Sequence, residues 1–111
     1  MKMVLIFDYT YKEDILDGIK EWTIRRGDRR KMIKIGSIHK CKEKLFSKDY
    51  FARVKILDII VKLFKELTEQ DAKDDLFDSL EECKERLKEI YGDGIENDVV
   101  SKIKFEIYGD E

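Results

Sequence analysis

The stretch SKDYFARVKILDIIVKLFKELTE, residues 47–69, decides the fold of this chain, because it reads either as one long helix or as a strand with flanking turns. Lys48, Lys55, Asp58, Lys62, Lys65, Glu66 and Glu69 recur at three- and four-residue steps, and Ser47 stands where an N-cap belongs. Val54, Ile56, Ile59, Ile60 and Val61 are β-branched and argue for a strand. A polar stripe sustained over about six turns outweighs that propensity. The spacing therefore predicts a helix over 47–69, apolar on most sides.

Upstream, Val4, Leu5, Ile6 and Phe7 are consecutive and apolar, so residues 2–8 are expected to form a strand covered on both faces. Ile15, Ile19 and Trp22 recur at helical spacing, with Glu13 and Asp14 in the first turn, which predicts a helix over 11–26 ended by Gly27. Gly18 inside that helix would cost about 1 kcal/mol relative to Ala. Ile33 and Ile35 alternate with Lys34, predicting an edge strand over 30–38, while 39–46 reads as loop or as a bulged extension of it.

Downstream, Leu76, Leu80, Cys83, Leu87 and Ile90 predict a helix over 74–91, stopped by the Gly-Asp-Gly at 92–94. Alternation of Ile103, Phe105 and Ile107 with Lys102, Lys104 and Glu106 predicts a last strand over 99–108. The expected order is β-α-β-α-α-β. The expectation is a single α/β domain over 1–111, with a small three-stranded sheet of order 2-1-3 packed by three helices. Such a sheet leaves two open edges, so a homodimer is expected.

A hydrophobic fraction of 42% in 111 residues is enough for a core. No apolar run approaches the roughly 20 residues of a membrane span, and the first apolar run is too short for a signal peptide. The expected location is the cytoplasm of a cell or of an infected host cell. Cys41 and Cys83 lie far apart and are expected to be reduced. Charged residues make up 43% of the chain, while Gln70 and Asn97 are its only side-chain amides, a balance that points to a thermophilic source.

Charge is unevenly distributed. Up to Thr68 there are 17 Lys and Arg against 10 Asp and Glu (net +7), and from Glu69 onward 6 against 15 (net −9). Arg25, Arg26, Arg29, Arg30, Lys31, Lys34, Lys40, Lys42 and Lys44 form a basic segment able to follow phosphates, with Trp22 or Tyr11 available to stack on a base. The same residues also answer a helix C-terminus and protect an edge strand. Asp71, Asp74, Asp75, Asp78, Glu81, Glu82 and Glu85 form an acidic ridge suited to a basic protein partner or a second copy, or else a solvated helix face.

Signs of chemistry are sparse. His39 lies close to Cys41 and Ser37, but at strand spacing they are too far apart for a nucleophilic triad. Asp8, with Thr10 and Asp14, could hold magnesium at the end of the first strand, and N-capping explains it equally. No glycine-rich phosphate loop or metal-ligand spacing is found, so no cofactor is expected.

Three functions follow in order of preference. The first is a non-enzymatic binding protein acting through charged surfaces on a macromolecular partner, of the kind a virus or mobile element encodes as an inhibitor or accessory factor. The second is a nucleic-acid-binding module using residues 25–44. The third is a magnesium-dependent enzyme around Asp8.

Overall fold

In the computed structural model, which describes residues 4–44 and 46–109, the deciding stretch is a strand. The elements in chain order are β1 (Leu5–Ile6), α1 (Lys12–Leu16), β2 (Trp22–Arg26), β3 (Ile38–Lys42), β4 (Ala52–Leu63), α2 (Glu69–Asp74), α3 (Leu80–Tyr91) and β5 (Val99–Ile107). Short 3-10 turns at Tyr9–Tyr11, Phe64–Glu66 and Asp93–Asn97 join them.

A β-bulge explains why β4 imitates a helix. Pairing with β5 passes from Ile56 opposite Phe105 to Asp58 opposite Lys104, which leaves Leu57 as an extra residue. That slip turns a two-residue step into three. Ile60 is apolar although it faces outward, so Lys55, Asp58 and Lys62 fall at helical intervals while the backbone stays extended.

The expected helix over 11–26 also divides. Gly18, at φ +76°, ends α1. The Ile19 N–H donates to the Asp14 carbonyl (2.8 Å) and the Gly18 N–H to the Ile15 carbonyl (3.1 Å), which is the Schellman pattern. The rest becomes β2. The strand expected over 30–38 begins only at Ile38, and the segment left open at 39–46 supplies most of β3. The loop before it still reaches the core, because Ile33 is fully buried. The helix expected over 74–91 starts only at Leu80, as α3, while α2 forms in the stretch before it and Leu76, at φ +65°, lies between the two. The last strand lies close to its expected place, and Gly92 ends α3.

The sheet is therefore five-stranded, in the order β1-β3-β4-β5-β2, and curls into a half-barrel. The three-stranded 2-1-3 arrangement is overturned. Only β1 and β3 pair in parallel, and the other three pairings are antiparallel. The first strand sits at an edge rather than in the centre. Its unbroken apolar run has two uses, since Leu5 and Phe7 enter the core while Ile6 lines a cleft. Lys2 and Met3, at the start of the expected strand, lie outside the described residues.

The sheet buries both faces. Leu5, Phe7, Ile33, Val54, Ile103 and Phe105 fill the inner side. Ile24 and Val100 pack outward against Phe64, Leu67, Leu87 and Ile95 in the helical layer. Among the described residues no helix is long and apolar enough to cross a membrane.

Candidate functional site

β1 and β2 are the two ends of the strand order, and the curl brings them face to face across an unclosed seam. This gap, flanked by α3, is a cleft of about 410 Å³. β2 sends alternate side chains to its two sides. Thr23 and Arg25 face inward with Ile103 and Ser101, their partners on β5, while Ile24 joins the helical layer.

Asp75, just past the end of α2, seals the seam. One carboxylate oxygen is ion-paired with Lys20, and the other accepts the Ile24 N–H at 3.2 Å. An edge-strand donor is thus satisfied by a side chain instead of by a further strand. Lys20 and Asp75 are both buried, and the Lys20 ammonium lies 4.4 Å from the Tyr11 ring centroid. Burial draws the Lys20 ammonium below the ordinary lysine value, with the Asp75 charge opposing. Burial likewise raises the Asp75 carboxyl and the Tyr11 phenol.

Arg25 is a further charge in the cleft, which Asp8, Glu43 and Arg86 also line. Its guanidinium carbon stands 4.7 Å from the Phe7 ring centroid, and its Nε donates to Thr23 Oγ1 at 3.0 Å. It is partly buried and, among the described residues, makes no ion pair with a carboxylate. At the mouth, Arg86 approaches Asp8 to 4.0 Å.

The nine basic residues read from the sequence do not form one surface. Arg25 enters the cleft. Arg26 is ion-paired with Asp98 at 2.8 Å, and Arg30 is paired with Asp28 at 2.6 Å, holding that carboxyl at about 2. Arg29 donates from Nε to the Arg26 carbonyl, and its N–H bonds Ser101 Oγ. Among the described residues Lys31, Lys34, Lys40, Lys42 and Lys44 carry no carboxylate partner. The arginine half of the segment is thus largely spent on local ion pairs and hydrogen bonds, while the lysine half keeps its charges unpaired by carboxylates.

The acidic stretch divides in the same way. Asp71 pairs with Lys62 (2.7 Å) and Lys102 (2.9 Å), Asp74 with Lys102 (2.6 Å), and Asp75 with Lys20. Asp78, Glu81, Glu82 and Glu85 stay exposed without an ion pair among the described residues, and Glu81 and Glu82 lie in the first turn of α3, where its dipole favours them.

Asp8 accepts hydrogen bonds from the N–H (3.0 Å) and hydroxyl (3.1 Å) of Thr10, and so caps the turn at Tyr9–Tyr11. Among the described residues no three His, Cys, Asp or Glu side chains are grouped to hold a metal ion. His39 and Cys41 are buried on the inner face, with Ser37 Oγ 2.7 Å from His39 Nε2.

Lys20, Thr23 and Phe7 went unnoticed as site residues in the sequence. The pattern Gly-Ile-Lys-Glu-Trp-Thr-Ile-Arg at 18–25 was the available signal, since a helix-ending glycine followed by alternation marks a strand.

No family model and no curated protein matches the chain. Solved structures do. Hypothetical protein PH0355 is 25% identical with a TM-score of 0.73, over 97% of this chain and 100% of that one. An ASCH domain from Lactobacillus crispatus is 15% identical with a TM-score of 0.69, over 88% of this chain and 70% of that one. Protein PF0455 from Pyrococcus furiosus is 21% identical with a TM-score of 0.68, over 99% of this chain and 100% of that one. What this chain has in common with these proteins is a fold, the curled mixed sheet of the ASCH-like type.

Proposed function

We propose that this chain is a nucleic-acid-binding module that receives an unpaired nucleotide in the seam cleft. Arg25 carries the reading. An inward-facing arginine without a carboxylate partner, braced on Phe7 and Thr23, leaves the cleft with a fixed positive charge beside aromatic surface. A phosphate or the edge of a base complements that charge, and a base has a π-face for the neighbouring rings. Lys31, Lys34, Lys40, Lys42 and Lys44 supply cations for the flanking backbone.

The test is fluorescence anisotropy with a labelled mononucleotide and a labelled oligouridylate at low salt. Arg25→Gln is expected to weaken both by at least about tenfold while the melting temperature stays close to wild type. Equal binding by wild type and variant would remove the cleft from the reading.

A second reading is favoured by the cleft wall. Lys20 has its basicity lowered by burial, and Thr23 lines the same cleft three residues on. A hydroxyl and a desolvated lysine are the parts of a hydrolytic pair: with Lys20 in its neutral form, Thr23 Oγ1 attacks a carbonyl carbon, its proton passes by way of Lys20 to the leaving group, and water then hydrolyses the acyl ester left on Thr23. Asp75 positions Lys20. Turnover of small aryl esters or amides that disappears in both Thr23→Val and Lys20→Met supports it, and turnover retained in either variant dismisses it.

The protein-partner reading now rests on Asp78, Glu81, Glu82 and Glu85 alone, since the other three acids are neutralised within the chain.

A further inference from the structure

The loop between β3 and β4 holds Phe46 at 94% exposure, beyond every other large apolar side chain among the described residues. The loop is pinned at several points. The Ser47 N–H donates to the Lys44 carbonyl at 3.1 Å. Lys42 Nζ donates to the Ser47 carbonyl at 2.7 Å, and the Phe51 N–H closes the loop base on the Cys41 carbonyl at 3.0 Å.

Lysines surround it. Lys44 and Lys48 are exposed on either side of Phe46 in the loop. Lys40 and Lys42 share the outer face of β3 at a spacing of about 6.6 Å, and Lys55 lies on the same face of β4, opposite Ile38. Among the described residues none of these five is ion-paired with a carboxylate. The acids close by in sequence or register are Glu43, Asp49 and Glu106, so cations outnumber them. Lys40 also stands 4.9 Å from the Tyr50 ring centroid, a second aromatic at the edge of the patch.

We propose that this face is a second footing for single-stranded nucleic acid: a base stacks on Phe46 while Lys40, Lys42, Lys44, Lys48 and Lys55 follow the phosphates. The inference rests on the nucleic-acid reading of the cleft and extends it to a polynucleotide longer than the cleft can hold. Unpaired bases are required, because the π-face of a base inside a duplex is already covered by its neighbours. The lysines suit an anionic lipid surface as well, but Phe46 and Tyr50 at the edge of the patch give little apolar area to bury in a bilayer, which favours the polynucleotide.

The experiment measures anisotropy of a labelled oligouridylate of about a dozen residues, a labelled mononucleotide, and anionic phosphatidylserine vesicles. Each is titrated with wild type, Phe46→Ala, Lys44→Gln/Lys48→Gln and Arg25→Gln. Both loop variants alter exposed side chains only, so the fold is kept. Phe46→Ala is expected to weaken the oligonucleotide about tenfold and leave the mononucleotide unchanged. The lysine variant is expected to lower the salt dependence. Oligonucleotide binding unaffected by either loop variant overturns the inference, and if Arg25→Gln still weakens the mononucleotide, the cleft reading survives without it. A loop effect with no Arg25 effect removes the cleft reading instead. No oligonucleotide binding by wild type overturns both. Vesicle binding lost in Phe46→Ala while oligonucleotide binding persists overturns the inference and hands the loop to a membrane.

Discussion

Arg25 and Phe7 belong to opposite ends of the strand order, yet the guanidinium carbon lies 4.7 Å from the ring centroid. Contact across the seam is possible only because the sheet curls until β2 faces the end of β1. It places a cation with a hydrophobic backing inside a cleft that neither strand could form alone.

The Lys20–Asp75 pair ties the segment before β2 to the end of α2. Asp75→Asn keeps an acceptor for the Ile24 N–H but leaves a buried ammonium uncompensated, and is expected to cost about 3–5 kcal/mol. Lys20→Met combined with Asp75→Asn removes both charges and is expected to recover most of that loss. Urea unfolding of the four proteins gives the coupling energy, and an additive double variant would contradict a direct pairing.

Asp71 gives the acid limb of stability. Burial alone would raise its carboxyl, but bonds from Lys62, Lys102 and the Thr68 N–H outweigh it and hold the group below its ordinary 3.8. A depressed carboxylate contributes stability that is complete above its unfolded value and is lost as pH falls through the folded one. Asp71→Asn is expected to cost about 3 kcal/mol at pH 7, with the gap to wild type closing as pH drops below 3.8. Urea midpoints at neutral and acid pH check this.

Neutralising Arg26, Arg29 and Arg30 together is expected to change oligonucleotide affinity little, since Arg26 and Arg30 are already ion-paired and Arg29 bonds a carbonyl. Neutralising Lys40, Lys42 and Lys44 is expected to reduce the slope of log affinity against log salt by roughly 0.7 per lost contact. Salt titrations of the two triple variants decide between the halves of the basic segment.

Cys41 and Cys83 are fully buried, and burial pushes each thiol up to about 12. Native protein is expected to give no reaction with a thiol reagent at pH 8, and both cysteines should react in urea. Rapid labelling of the folded protein would mean that the cores around them open readily.

The last strand, the helix stop at Gly92 and the capping role of Asp8 were all readable from local sequence, because each depends on residues within a few positions of one another. The segment 47–69 was not, because the bulge at Leu57 changes the period of β4 and is set by its pairing with β5. Gly18 was misread for a related reason. A glycine inside an apolar period and a glycine ending a helix look alike until the Asp14 and Ile15 carbonyls are seen to find their donors.

By itself the sequence determined the charge-rich composition, the opposite signs of its two halves, and the residues able to build a core. Only the tertiary structure decided which charges cancel and which are left over. Arg26 meets Asp98 and Lys102 meets Asp71 across long stretches of chain, while Arg25, next to Arg26 in sequence, meets Phe7 instead. The physical reason is that ion pairing depends on distance in space, and distance in space is set by how the strands are ordered and how far the sheet curls.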